Sequence, residues 1–399
     1  MGRAVPEGVF SAFLALAVAS PSAAAPPQPK RDLALEARML EHIKILASDE
    51  FEGREPGTEG EAKTLRYLGK QWFDIGLISG TNDPGHPWFA PVNLVAREPA
   101  GSVAVFSRKG RRIPVPQSAI LMLTSGSRAL IENAPLLFVG RAANADQLAR
   151  SELAGRVVVL LDAGERDSAR QNALIKAGAS AVLTVLDDGP NLAQVSARRR
   201  RTGYALGSDV LGGDLEGFID PVVFDRLAMV AGTSLAALQS AAAAPDFVPR
   251  ALDLTATMEA TTRETKIRTH NLIGKLEGRR PDQGAVLFMA HWDHFGRCAE
   301  PPAEHLICNG AIDNASGLAA LTEVARALSR MPQPERDIYF VATTGEEMGL
   351  LGAEAFAENP PLPLKQVVAA FNIDTVAIAP AGSPFAIVGK GMTRLDPDI

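Results

Sequence analysis

The chain has little cysteine, only two in 399 residues. That excludes a small scaffold held together by several disulfides. It has no excess of positive charge. Its 40 Lys and Arg are outnumbered by 46 Asp and Glu, for a formal net charge of −6. This balance argues against a nucleic-acid binder, which needs a cationic surface to replace counterions. After Phe10 to Ala19 it has no long apolar run. No later segment therefore reaches the ~20 residues of a membrane span. Its 35 glycines and 28 prolines follow no collagen-like period. Histidine is sparse too, with six in all and none after His305.

What is present is ample core material. The chain is 46% hydrophobic and 22% charged, so disorder is excluded as its main state. Its length suggests roughly two or three domains. Arg3, the apolar run Phe10 to Ala19 and the small residues Ser22, Ala23 and Ala24 read as a signal peptide over 1–24. The mature protein is then expected in the periplasm or secreted. APPQPK follows as a short extended linker.

Leu35, Met39, Ile43 and Leu46 are spaced as one face of a helix over 32–47. A turn-rich loop, DEFEGREPGTEGE, comes next. Ala62, Leu65, Leu68, Trp72 and Ile75 mark a second helix, stopped by Gly76. Short strand-like runs follow at Val92 to Val95, Val103 to Phe106 and Ile120 to Leu123. Arg156 to Leu161, Ser168 to Lys176 and Ala181 to Leu186 form a strand–helix–strand unit. Leu252 to Met258 alternates as a half-buried strand. Arg198 to Arg201, four arginines in a row, reads as a solvated loop.

From about residue 270, strands and helices alternate. The strands are Ala285 to Ala290, Ile338 to Ala342 and Val367 to Ile373. The helices carry Leu318 to Leu328 and Leu350 to Phe356. This grammar implies a mixed, mostly parallel α/β sheet with helices on both faces. Polar residues cluster at the strand ends. His291 and Asp293 follow the first strand, Glu346 and Glu347 the second, and Asp374 ends the third. Asp313 opens the intervening helix and faces the same edge, where open α/β sheets bind ligands. Carboxylates converging there need a counter-charge. A divalent metal supplies it, and imidazole mixed with carboxylate suits zinc, including paired zinc ions. His294 and His305 read as loop residues beside this cluster; His42, His86 and His270 carry no motif.

The segments HWDHFG, NGAIDNASG, TTGEEMGLLGAEAF and FNID, in that order, resemble those of the secreted di-zinc aminopeptidases, the bacterial leucyl-aminopeptidase-like zinc exopeptidases. That family shares its fold with the transferrin-receptor ectodomain and the glutaminyl cyclases. MLEHIKILASDEFEGREPGTEGEAKTLRYLGKQW resembles the opening of its periplasmic members. APLLFVG, LAGRVVVLLD and AGASAVLTV resemble a protease-associated domain. The implied organisation is 25–98, the first part of the peptidase domain; 99–255, an inserted β-rich protease-associated-like domain; and 256–399, the catalytic domain.

The resemblance implies roles residue by residue. His291 and Asp374 ligate one zinc, Glu347 ligates the other and Asp313 bridges them. Asp293 orients His291. Glu346 is the general base that takes a proton from zinc-activated water. The Asp313-Asn314 bond resembles a cis linkage. The family's second zinc takes a further histidine downstream, and nothing after Asp374 supplies one. The chain is thus expected to be a C-terminally truncated copy, with the second zinc left to Asp313 and Glu347. In an oxidising compartment Cys298 and Cys308 are expected to form a disulfide. Peptides are the expected partners. A non-catalytic binding protein on the same fold, and carboxypeptidase or glutaminyl cyclase chemistry on the same metals, are the competing readings.

Overall fold

The computed structural model describes residues 31–141, 148–162, 167–376, 378–380, 383, 387–389 and 391. The expected signal peptide and linker lie outside them. The N-terminal helix α1 (Leu33–Leu46) starts where Asp32 accepts hydrogen bonds from the Ala34 and Leu35 amides. The expected loop contains a 3₁₀ turn, Asp49–Arg54. Helix α2 (Glu59–Ile75) follows and buries Leu65, Leu68 and Trp72 on one face. Gly76 closes it with φ 96°, a left-handed cap that favours glycine.

The next strands are β1 (Ile78–Ser79), β2 (Phe89–Arg108), β3 (Arg111–Ile113), β4 (Ile120–Leu123) and β5 (Arg128–Gly140). Helix α3 (Arg150–Leu153), β6 (Val157–Leu161), α4 (Asp167–Ala177), β7 (Ala181–Val185) and α5 (Leu192–Arg199) come after them. Then come β8 (Gly203–Leu206), β9 (Glu216–Ile219), α6 (Pro221–Val230) and α7 (Leu235–Ala242). Strand β10 (Arg250–Leu276) runs for 27 residues. The last part holds β11 (Ala285–His291), β12 (Gly296–Arg297), β13 (Ile307–Cys308), α8 (Gly317–Ser329), β14 (Asp337–Thr343), α9 (Leu351–Glu358) and β15 (Val367–Asn372).

Among the described residues, thirteen of these strands form one mixed sheet. Its path runs β15-β11-β14-β10-β5-β6-β7-β9-β4. Pairing is parallel across β15, β11 and β14 and again across β5, β6, β7 and β9. It is antiparallel where β10 meets β14, β2 and β5. The two strand-like runs at Val92 and Val103 belong to a single strand, β2, because it pairs with β10 along almost its whole length. Likewise Leu252 to Met258 is only the start of β10. Its middle, Arg263 to Lys266, is exposed. No buried face imposes an alternating pattern there, so the sequence conceals the strand's continuity.

Two cores result. One gathers Phe106, Leu136, Phe138, Val159, Leu183 and Phe224 around β2, β5 to β7 and β10. The other packs Leu68, Trp72, Leu272, Trp292, Leu318 and Phe340 between the sheet and helices α1, α2 and α8. On the opposite face Tyr339, Val341 and Phe356 pack α9 against the sheet. Alternate residues of β14 therefore serve two cores, as the period of a strand dictates. Residues 98/99 and 255/256 fall within β2 and β10, so the ladder is unbroken there.

Candidate metal centre

Three parallel strands, β11, β14 and β15, end on one edge of the sheet. His291 is the last residue of β11, and Asp293 and His294 follow it. Glu346 and Glu347 come just after β14, and Asp374 just after β15. Asp313 arrives from the distorted turn Ala311–Ser316 ahead of α8, where the Asp313-Asn314 peptide is cis. Asn314 ties this turn to the end of β15. Its Nδ2 donates to the Ile373 carbonyl (3.0 Å), and its Oδ1 accepts from the Gly317 amide (2.9 Å). The buried Asn314 amide thus sets Asp313 beside Asp374.

The His291 side chain is 2% exposed. Its Nε2 lies 3.0 Å from Asp313 Oδ1, 3.6 Å from Asp374 Oδ1 and 4.0 Å from Glu346 Oε2. This nitrogen is buried and makes no hydrogen bond among the described residues. Nδ1 lies 3.1 Å from the Asp293 backbone oxygen and 3.7 Å from that residue's carboxylate. Burial pulls the imidazole pKa down, but Asp293, Glu346 and Asp374 outweigh it and raise it to about 9. To ligate a metal, His291 must shed that proton.

The fully buried Asp293 carboxylate accepts from two backbone amides, Glu346 (3.1 Å) and Glu347 (3.3 Å). It thereby locks the Glu-Glu turn to the end of β11. Burial, then repulsion from Asp313, raises the Glu347 carboxyl to about 7. Burial also raises Glu346 above the ordinary carboxylate value.

A second set of donors stands beside the first. His294 Nδ1 is 2.5 Å from Glu347 Oε1. One donor atom each from His294, Asp313 and Glu347 lies within 4.8 Å of the others, and the same holds for His291, Asp313 and Asp374. Asp313 belongs to both sets. His305 is exposed in the loop between Cys298 and Cys308 and joins neither. Those cysteines form a disulfide with Cα atoms 5.7 Å apart, closing the β12–β13 hairpin.

Arg54 escaped the sequence reading. It is completely buried, in the turn before α2. Its Nε donates to the Trp292 carbonyl (2.9 Å), Nη1 to those of Leu46 (2.8 Å) and Asn309 (2.7 Å), and Nη2 to that of Gly310 (2.9 Å). One guanidinium therefore braces the backbone on both sides of the centre. Burial lowers its pKa to about 10, so it remains a cation at neutral pH. Neighbouring Gly53 allows the disulfide hairpin to sit close, since a β-carbon there would be 2.6 Å from the Cys308 carbonyl oxygen.

Five carboxylates (Asp293, Asp313, Glu346, Glu347 and Asp374) thus converge with one permanent cation, Arg54. The orphaned buried nitrogen of His291 and this excess of anionic oxygen fit a divalent metal, and the mixed N/O donor set fits zinc.

The fold and site define a class: an α/β protein with imidazole and carboxylate groups, fit to hold a metal ion, at the C-terminal edge of its parallel strands. Residues 271–396, the segment bearing the site, match the model of peptidase family M28. The alkaline phosphatase isozyme conversion protein of Escherichia coli (strain K12) is 38% identical over 103 residues, 24% of this chain and 29% of that protein. A vacuolar membrane protease of Yarrowia lipolytica is 34% identical over 99 residues, 24% of this chain and 9% of its own length. The chain therefore spans less than a third of these curated relatives. Among solved structures, an aminopeptidase from Aneurinibacillus sp. strain AM-1 aligns over 85% of this chain and 70% of its own, at 19% identity and a TM-score of 0.46.

Proposed function

We propose that this protein is an exported zinc aminopeptidase with two metal positions. The observation that carries the reading is the buried His291 Nε2, without a hydrogen bond, facing Asp313, Asp374 and Glu346. His291, Asp313 and Asp374 would hold one ion. Asp313 and Glu347 face the other position. The family match over 271–396 supports a metallopeptidase. The Cys298–Cys308 disulfide supports an oxidising compartment.

Bound at this centre, zinc supplies Lewis acidity and makes water a nucleophile near neutral pH. The remaining work falls to side chains. Asp293 fixes the Glu346 amide, and the partly exposed Glu346 carboxylate lies 4.0 Å from His291 Nε2. Glu346 accepts the proton of the attacking water and returns it to the departing amine. Its partial burial raises its basicity for that exchange. Asp293 and Arg54 keep the two strand-end loops in register while the proton moves. Residues 99–255 read as a protease-associated module.

Glu346→Gln is the direct test. The variant is expected to retain zinc and lose about 10²–10⁴ in kcat on an N-terminally free peptide amide. N-terminally blocked peptides are expected to resist the wild-type chain. Full turnover by the zinc-loaded Gln variant would sink the assignment of the base. Cleavage from the C-terminal end would replace the aminopeptidase reading with a carboxypeptidase one.

A further inference from the structure

We propose that Asn271, on the antiparallel strand β10, is a positioning residue for the loop that carries Glu346 and Glu347. The inference rests on the metallopeptidase reading above, which gives those glutamates the chemistry. Strand β10 pairs antiparallel with β14, and its side chains alternate between the two sides of the sheet. Leu272 joins the core beneath α1, α2 and α8. Ile273 joins the core beneath α9, with Tyr339, Val341 and Phe356. Thr269 and Asn271 share the side of Ile273, at 0% and 1% exposure. Two buried polar residues beside an apolar core cost stability unless their polar atoms are bonded. Here they are. Asn271 Oδ1 accepts from the Thr344 amide (2.9 Å), and Nδ2 donates to the Gly352 carbonyl (2.7 Å). The Thr269 and Thr344 hydroxyls bond each other at 2.7 Å.

The two groups that Asn271 holds are the two ends of one loop. The chain leaves β14 after Thr343, passes Glu346 and Glu347, and enters α9 at Leu351. The Gly352 amide donates back to the Thr344 carbonyl (2.9 Å) and closes the neck of the loop. A β-carbon on Gly352 would lie 2.1 Å from that carbonyl oxygen and 2.7 Å from Asn271 Oδ1, so the neck requires glycine. Asp293 holds the same loop by the Glu346 and Glu347 amides. The glutamates are thus gripped from β11 and their loop is gripped at its base from β10. Two bonds from Asp293 leave the loop free to pivot about them. The Asn271 amide removes that freedom and fixes the direction in which the glutamates leave the sheet.

The test compares the zinc-loaded 399-residue chain with its Asn271→Ala variant. Hydrogen–deuterium exchange reads the loop, and cleavage of an N-terminally free peptide amide reads the chemistry. In the wild type the Thr344 amide is expected among the slowest to exchange, a readout that needs no variant. In Asn271→Ala, exchange across 344–352 is expected to rise at least about tenfold while β15 keeps its protection. Its kcat is expected to fall about 10- to 100-fold, the cost of a misplaced reacting group, with KM within about threefold. Ile273→Val loosens the same side of β10 away from the neck; it should lower Tm and leave kcat unchanged. A lower Tm in Asn271→Ala with wild-type kcat and wild-type exchange across 344–352 would overturn the proposal, leaving Asn271 a residue of the core alone. So would a fast-exchanging Thr344 amide in the wild type. Wild-type chain that cleaves no peptide would sink the peptidase reading separately, and the exchange data would still decide whether Asn271 holds the loop.

Discussion

Arg54 shows how much one side chain can organise. Four carbonyls, from Leu46, Trp292, Asn309 and Gly310, depend on its guanidinium. Arg54→Met would bury those acceptors without donors. The expected cost is at least about 3 kcal/mol, measured by urea unfolding, because unpaired buried polar groups are expensive. Arg54→Lys should restore only part of it, since an ammonium cannot reproduce the planar fork. This residue also marks the limit of what the sequence reveals. His291, Asp313, Glu346, Glu347 and Asp374 were legible because strand ends and a helix start announce themselves through periodicity. Arg54 was not, because three of its partners are backbone oxygens 238, 255 and 256 positions away. His294 looked like an ordinary loop residue for a similar reason. Only the closing of the Glu-Glu turn onto β11 brings Glu347 to it.

At the scale of elements, α1, α2 and α8 are joined by a buried polar cluster as well as by their apolar faces. The Tyr67 hydroxyl is hydrogen-bonded to His42 Nδ1 (2.6 Å), and Nε2 lies 3.3 Å from Glu323. Arg38 and Arg326 also bond Glu323. Burial holds the His42 pKa below its ordinary 6.5, against the pull of Glu323. The unfolded chain therefore takes up a proton as pH falls through 6.5, before the folded chain does. Stability is retained above that pH and declines below it, with a slope of up to about 1.4 kcal/mol per pH unit from one proton. His42→Gln is expected to flatten the urea-midpoint profile between pH 6.5 and 5. An unchanged slope would remove His42 from the account. Both helices of the N-terminal pair were visible in the sequence, since each has one apolar face. The full lengths of β2 and β10 were not, because the middle of β10 is exposed and that of β2 only partly buried, so neither carries an alternating apolar pattern.

For the molecule as a whole, the metal centre concentrates negative charge in a chain already at −6. Zinc binding is therefore expected to stabilise the entire fold. At a free concentration a hundred times its Kd, one ion bound only by the native state adds about 2.7 kcal/mol. Thermal melts across a zinc titration should show Tm rising without a plateau, and chelation should reverse the rise. A Tm indifferent to zinc would mean that the carboxylates are accommodated by protons alone. The β2–β10 ladder has a different consequence, one of time. It pairs Phe89 with Leu272 and Ser107 with Thr255, partners more than a hundred residues apart. Closing such a span costs entropy before any pairing repays it. Topologies dominated by distant contacts fold in milliseconds to seconds rather than microseconds. The core of the segment between these strands is itself closed by β2 and β10 residues such as Phe106 and Met258, so it too is completed by the ladder. The Arg54 brace joins Leu46 to Trp292, Asn309 and Gly310 across the same span, so it shares that entropic cost.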